Sequence, residues 1–176
     1  MSLESKVAVL PAGVWGATWA LGAAKQGHDI RLYIRNADDC RRINKDRIYR
    51  KVSGVVFPTN ITAFNDSQET LDGAEVVVLA PSSLGYREFV RSLEGLNRGQ
   101  YILNLTKGLE IDTGFRMSEI LEQEHPGILN QLAVWSGPNI ASKIASEESA
   151  NAHIASVDPN TAFFFERSFG RIKVTL

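Results

Sequence analysis

The stretch Val7-Ala8-Val9-Leu10-Pro11-Ala12-Gly13-Val14-Trp15-Gly16 sets a short apolar run against a turn and the start of a helix. Four apolar residues stopped by proline predict a strand over Val7–Leu10. Val14 to Gln26 is rich in Ala, Leu and Trp, and Gly27 suits a helix C-terminus, where a left-handed residue closes the last turn. Between them, Pro11, Gly13 and Gly16 keep the spacing of the glycine-rich phosphate turn G-x-G-x-x-G, with proline in the first place. In that turn the second glycine lets backbone approach a pyrophosphate, and the third lets the helix pack close to the strand. The helix so opened aims free N–H groups and the positive end of its dipole at a phosphate. Pro11 departs from the pattern, because its ring fixes φ and removes a donor where glycine has free torsions. Either the turn is reshaped, or the position needs only a proline-compatible angle. Taken alone, the segment fits a plain strand-to-helix turn as well as a nucleotide site.

Outward from this turn, apolar runs alternate with amphipathic stretches to the end of the chain. The runs Ile30–Ile34, Ile61–Phe64, Val76–Ala80, Tyr101–Leu105, Leu132–Trp135, Ala152–Ala155 and Ile172–Leu176 are expected strands. Val76 to Ala80 is apolar at every position, which predicts a strand buried on both faces, as in a parallel sheet. Helices are expected over Asp38–Asp46, Ser83–Leu96, Asp112–Glu124 and Asn139–Ser146, with Asp112 as an N-cap. His125-Pro126-Gly127 stops the fourth of the helices counted from Val14, and Asp158-Pro159 opens the last. Gly54 to Thr59 reads as a turn-rich connection. Strand–helix alternation of this kind predicts an α/β fold, a doubly wound and mainly parallel sheet of the Rossmann-like type, as a single domain over residues 1–176.

Composition narrows the function. Of 176 residues, 44% are hydrophobic and 22% charged, with 19 basic against 20 acidic residues. A net charge of −1 argues against a nucleic-acid-coating or membrane-surface protein. No apolar run approaches the ~20 residues of a membrane span. No basic segment leads into a signal-type apolar core, so the expected location is cytoplasmic. The single cysteine, Cys40, excludes an internal disulfide, and Arg41 and Arg42 beside it would depress its pKa. His28, His125 and His153 lack ligand spacing, and no metal site is expected. The basic patch from Arg41 to Lys51 reads as a solvated helix face and the loop after it, and the pairs Glu122/Glu124 and Glu147/Glu148 as solvated helix charges. Trp19, one turn after Trp15, reads as core packing, and Phe163-Phe164-Phe165 is expected to bury two rings and leave one for a partner surface.

An acidic residue about 20 positions after the phosphate turn normally receives the ribose 2′-hydroxyl of NAD. Here the second strand ends Tyr33-Ile34-Arg35-Asn36, without a carboxylate. Arg35 either faces solvent or meets a 2′-phosphate, and the second reading favours NADP.

Further along stand Leu79-Ala80-Pro81-Ser82, Thr106-Lys107-Gly108-Leu109-Glu110, Met117-Ser118-Glu119 and Ser136-Gly137-Pro138-Asn139-Ile140-Ala141. With the Gly-x-Trp-Gly turn, and in this order, they resemble the N-terminal half of the NAD(P)-dependent sn-glycerol-3-phosphate dehydrogenases along nearly the whole chain. The resemblance implies an oxidoreductase that interconverts dihydroxyacetone phosphate and glycerol 3-phosphate with NAD or NADP, feeding glycerophospholipid synthesis. It implies cofactor contacts at Gly13, Val14, Trp15, Gly16, Arg35 and Ala141. It also implies Lys107 as an active-site lysine touching cofactor and substrate, and Gly137 and Pro138 beside the substrate. A lysine at the C-terminal end of a parallel strand stands where such sheets bind ligands, and its ammonium can meet a phosphate or polarise a ketone oxygen.

The same resemblance implies a C-terminal helical domain carrying the principal catalytic lysine, followed by asparagine, and an arginine for the substrate phosphate. No Lys-Asn dipeptide occurs in this sequence. Half of a closed hydride-transfer site would then be missing. The expectation is a chain that alone binds cofactor weakly or not at all and does not turn over, its other half supplied by a further domain or another chain, or absent altogether. The alternatives are a non-catalytic Rossmann-like module with a degenerate nucleotide site, and a 3-hydroxyacid or ketopantoate-type dehydrogenase, which the Thr-Lys-Gly and Ser-Gly-Pro blocks disfavour.

Overall fold

The structure is a computed structural model that describes residues 4–52, 54–94, 96, 99–137, 152–170 and 172. Seven strands form one sheet: β1 (Lys6–Leu10), β2 (Asp29–Tyr33), β3 (Ile61–Phe64), β4 (Val76–Leu79), β5 (Tyr101–Asn104), β6 (Leu132–Ser136) and β7 (His153–Ser156). Their order is β3-β2-β1-β4-β5-β6-β7. All neighbours pair in parallel except β7, which runs antiparallel to β6. The doubly wound, mainly parallel sheet expected from the sequence is therefore present.

Helices cover both faces. On one side lie α1 (Val14–Lys25), α2 (Ala37–Asp46) and α6 (Pro159–Phe169), whose Trp19, Ile43, Phe165 and Phe169 pack on Val7, Val9, Val76, Val78 and Leu103. On the other lie α3 (Ser67–Leu71), α4 (Tyr86–Arg91) and α5 (Met117–Glu124), whose Leu71, Val90, Ile120 and Leu121 meet Ala8, Leu10, Val77, Leu79 and Ile102. Alternate residues of β1 and β4 serve the two cores, so all four residues of β4 are buried, as its unbroken apolar run requires. Phe165 is buried, Phe164 stacks on Tyr101 at 4.0 Å, and Phe163 stays exposed.

Several boundaries differ from those read off the sequence. α5 begins at Met117 rather than Asp112. Residues 109–116 instead close a turn: Glu110 N–H donates to Phe115 C=O (2.9 Å), Gly114 N–H donates to Glu110 C=O (2.8 Å), and Gly114 takes a positive φ of 70°. The helix N-cap is Arg116, whose N–H donates to Glu119 Oε2 (2.8 Å). α4 spans only Tyr86–Arg91, entered through Gly85 at φ 83°. α3 had no counterpart in the sequence reading, although Asp66 caps it by accepting from Glu69 N–H at 2.9 Å. β7 is offset by one residue from its expected span. The expected helix 139–146 and the expected strand 172–176 lie outside the described residues, apart from Ile172.

The basic patch is only partly a solvated face. Arg47 donates to the carbonyls of Ile61 (2.7 Å) and Pro58 (3.5 Å), fastening the loop after α2 to β3. Glu122 accepts from the N–H groups of Gly127 (2.8 Å) and Ile128 (3.1 Å), and so caps the end of α5 rather than standing free in water.

His28 links the ends of the described chain. Ser5 N–H donates to its Nδ1 (3.2 Å), which leaves Nε2–H to donate to Ser168 C=O (3.1 Å), and the ring stacks on Phe169 at 4.5 Å. The Ser5 bond needs the neutral ring, because only an unprotonated Nδ1 can accept it. Burial lowers its pKa from 6.5, outweighing the Ser168 carbonyl and the Glu4 charge, which favour the cation. The unfolded chain therefore takes up a proton near pH 6.5 that the folded chain refuses. This contribution is complete above about pH 7 and is lost as the pH falls from 6.5 toward the folded value. Urea unfolding between pH 8 and 5 is expected to show a falling midpoint below pH 7, with a smaller fall in His28→Gln.

Candidate cofactor site

β1 sits between β2 and β4, so the connections leaving β1 and β4 turn to opposite faces of the sheet and a crevice opens at their C-terminal ends. The Pro11-Ala12-Gly13 turn forms its floor. The Leu10–Pro11 peptide is cis. Gly13 N–H donates to Pro11 C=O (3.0 Å), and Ala12 N–H reaches Tyr33 C=O (2.9 Å) on β2. The turn is thus closed around proline through its carbonyl, which needs no N–H at position 11.

The first backbone bond of α1 runs from Ala17 N–H to Gly13 C=O (2.9 Å), so the amides before it lack an intrahelical acceptor. Gly13, the N-cap, offers no side chain to them. A Cβ at Gly13 would meet nothing within 4 Å, whereas one at Gly16 would lie 3.0 Å from Pro11 O and 3.2 Å from Ala80 Cβ. One glycine leaves room and the other permits contact, which are the two roles the spacing assigned them. Trp15 packs its ring on the core beside the turn, and Val14 is exposed at 47%. A phosphate fits such a site: open space, outward amides and a helix dipole.

The crevice widens into a groove of about 630 Å³ between the ends of β1, β2 and β4. Arg35 lines it, exposed, with its guanidinium 5.8 Å from the Phe89 ring. Tyr49 joins it, together with Lys51 and Asp39 of the stretch read from the sequence as a solvated basic face; none of the three was expected at the site. Tyr49 OH donates to Ala12 C=O (2.9 Å), bracing the turn from below, and burial, with the Asp39 charge second, raises its pKa. Asp39 is buried and pairs through Oδ1 with Arg50 Nε at 2.7 Å, while its Oδ2 has no partner among the described residues. No spacing rule could find them, because the loop after α2 folds back through the Ile48–Val56 bridge. Cys40, one residue away, is half buried, and burial pushes its thiol up rather than down, against the expected effect of the arginines.

Across the crevice, β5 delivers Lys107. Thr106 Oγ1 donates to Pro81 C=O (2.8 Å), Asn104 Nδ2 to Thr106 C=O (2.9 Å), and Lys107 Nζ to Gly137 C=O (2.5 Å) at the end of β6. A second cavity of about 350 Å³ lies here, lined by Thr106, Lys107, Arg116 and Ser136. Gly13, Val14, Trp15, Gly16 and Arg35 thus gather at the first part of the crevice, and Lys107 and Gly137 at the second. Pro138 and Ala141 lie outside the described residues.

This arrangement has counterparts. The family described as NAD-dependent glycerol-3-phosphate dehydrogenase N-terminus matches residues 6–162. The chain belongs to this family. A glycerol-3-phosphate dehydrogenase [NAD(P)+] of Chlorobium luteolum is 33% identical over 159 residues, covering 89% of this chain and 48% of that protein. One of Corynebacterium kroppenstedtii is 36% identical over 160 residues, with the same coverage of 89% and 48%. The crystal structure of glycerol-3-phosphate dehydrogenase from Coxiella burnetii superposes with a TM-score of 0.82 at 24% identity, over 96% of this chain and 52% of that one. The chain spans about half the length of the curated relatives it matches. Among the described residues, no helix is long and apolar enough to cross a membrane.

For a glycerol-3-phosphate dehydrogenase domain, the two glycines should separate under substitution. In Gly16→Ala, helix propensity favours alanine by about 1 kcal/mol. Crowding against the Pro11 carbonyl and Ala80 opposes it by about 1–3 kcal/mol. Urea unfolding is expected to show a net loss of about 1 kcal/mol for Gly16→Ala and a change within about 0.5 kcal/mol for Gly13→Ala, whose Cβ enters open space.

Proposed function

We propose that this chain is the dinucleotide-binding half of an sn-glycerol-3-phosphate dehydrogenase, taking NAD or NADP across the crevice. The observation that carries the reading is the pair Gly13 and Gly16, one open and one closely packed, at the helix start beside the topological switch point. The pyrophosphate meets Gly13, Val14, Trp15 and Gly16, and the adenosine end lies toward β2. There the Arg35 guanidinium favours the 2′-phosphate of NADP, with no free carboxylate at the strand end to repel it. Ala141 adds a cofactor contact.

When bound, the nicotinamide exchanges a hydride with the carbon that is a ketone in dihydroxyacetone phosphate and a secondary alcohol in glycerol 3-phosphate. Lys107 supplies positive charge next to the reacting oxygen or the phosphate, and Gly137 and Pro138 shape the substrate side. The rest of the site belongs to a helical half, as a further domain or a partner chain, so the 176 residues alone bind cofactor weakly and do not turn over. A cytoplasmic role in supplying glycerol 3-phosphate for glycerophospholipids completes the reading. Family membership and the open turn weigh against a non-catalytic module.

Fluorescence titration with NADPH and NADH tests this. Arg35→Ala removes a charge-assisted contact worth roughly 1.5–3 kcal/mol, so NADPH should weaken about tenfold or more while NADH changes little. Gly13→Ala should abolish binding of both without unfolding the chain, and Pro11→Gly should bind at least as well as the natural sequence. Absence of any binding at millimolar cofactor, alone and with a relative's C-terminal half added, would sink the proposal.

A further inference from the structure

Lys107 has little backbone to hold it. After Leu105 N–H bonds Leu79 C=O (2.8 Å), the next backbone-to-backbone donor in the loop is Glu110. Between these points the loop is fixed by side chains against the segment following β4. Thr106 Oγ1 holds Pro81 C=O, and Gly108, at φ 112°, lies so close to Ser83 that a Cβ would stand 3.4 Å from Ser83 Cβ. Beyond the lysine, Glu110 receives a two-pronged contact from Arg87 of α4: Nε to Oε1 and Nη2 to Oε2, both 2.8 Å. Thr113 Oγ1 donates to the same carboxylate (2.6 Å). The third Arg87 nitrogen, Nη1, donates to Glu124 Oε1 (2.8 Å) and Gln123 Oε1 (2.9 Å) on α5, and Arg91 joins Glu124 at 2.8 Å. Glu124 is therefore part of a network, not the solvated helix charge expected from the sequence.

We propose that the Arg87–Glu110 pair is a positioning clamp for Lys107, tying the lysine's loop to the helix whose leading turn walls the cofactor groove. The inference rests on the reading of Lys107 as a site residue. Arg87 and Glu110 are mostly buried, at 23% and 19% side-chain exposure, and the fork geometry fixes direction as well as distance. Hydrogen bonds from Arg87, then from Thr113, pull the Glu110 carboxyl down to about 2, so the clamp stays ionised throughout the working pH range. The same α4 starts from Gly85, and Pro81, Ser82 and Gly85 line the groove. Lysine and groove wall therefore shift together or not at all.

The test uses the full 176-residue chain and the variants Glu110→Gln, Arg87→Lys and Arg87→Gln, each first shown to be folded by circular dichroism. Acylation by an N-hydroxysuccinimide ester is followed by mass spectrometry at Lys107, with Lys25 and Lys45 as internal references. Release of the loop frees Lys107 from Gly137 C=O, so its relative labelling rate should rise at least threefold in Glu110→Gln and Arg87→Gln. Arg87→Lys, which keeps the charge without the fork, should fall between them and the natural chain. NADPH affinity should drop about tenfold in Glu110→Gln while the adenosine-half probe 2′,5′-ADP stays within twofold. Unchanged Lys107 labelling, or equal loss of both ligands, would overturn the clamp. If the natural chain binds neither ligand even with a relative's C-terminal half added, the cofactor reading fails, and the labelling series alone decides the clamp.

Discussion

Helix α1 can bring its first turn against the sheet only because position 16 carries no side chain. With Pro11 O and Ala80 Cβ at 3.0 and 3.2 Å from where a Cβ would stand, a larger residue would lift the helix from β1 and β4. The small residues Ala17, Ala20, Ala23 and Ala24 continue the close contact along the buried face. The outward amides consequently lie next to the C-terminal edge of β1, beside the switch in strand order. Strand order opens the crevice, and that one steric allowance brings the helix dipole to it.

Charge is distributed around the groove in a way that a net of −1 conceals. Arg35 and Lys51 face it, while the Asp39 carboxylate is withdrawn from solvent and engaged by Arg50. A buried carboxylate is costly unless paired, and a paired one projects little field. Asp39 is thus partly muted, while the exposed Glu88 on the α4 side of the groove keeps a carboxylate there opposite Arg35 and Lys51.

Much of this was legible in the residues, for identifiable reasons. β4 announced itself because both of its faces are buried, which no alternating pattern can mimic. The roles of Gly13 and Gly16 follow from spacing because steric exclusion acts locally. Pro11 was harder: a hydrogen-bond pattern that uses the proline's carbonyl instead of its N–H is invisible to rules about glycine torsions. Asp112 looked like a cap because capping is read from residue type, but the Gly114 turn and the Leu109–Arg116 bridge claimed that segment first. Tyr49, Asp39 and the partners of Glu124 could not be read at all, since each depends on contacts between residues 11 or more positions apart.

The exposed apolar residues complete the physical argument. Leu84 in the connection after β4 and Leu109 and Ile111 in the loop after β5 stand 77%, 56% and 83% exposed, on the very loops that flank the crevice. Scattered apolar side chains on a surface need no explanation, but these sit around a site whose proposed chemistry requires water to be kept out. The sheet and its two cores are complete without them, so their burial contributes nothing to the fold described above. A second half closing over the C-terminal edge of the sheet would cover them. Because Thr106 and Gly108 tie the loop after β5 to the segment after β4, and Glu110 ties it to α4 through Arg87, that closure would press on one joined rim. The same ties that aim Lys107 would then make the rim firm enough to receive a lid.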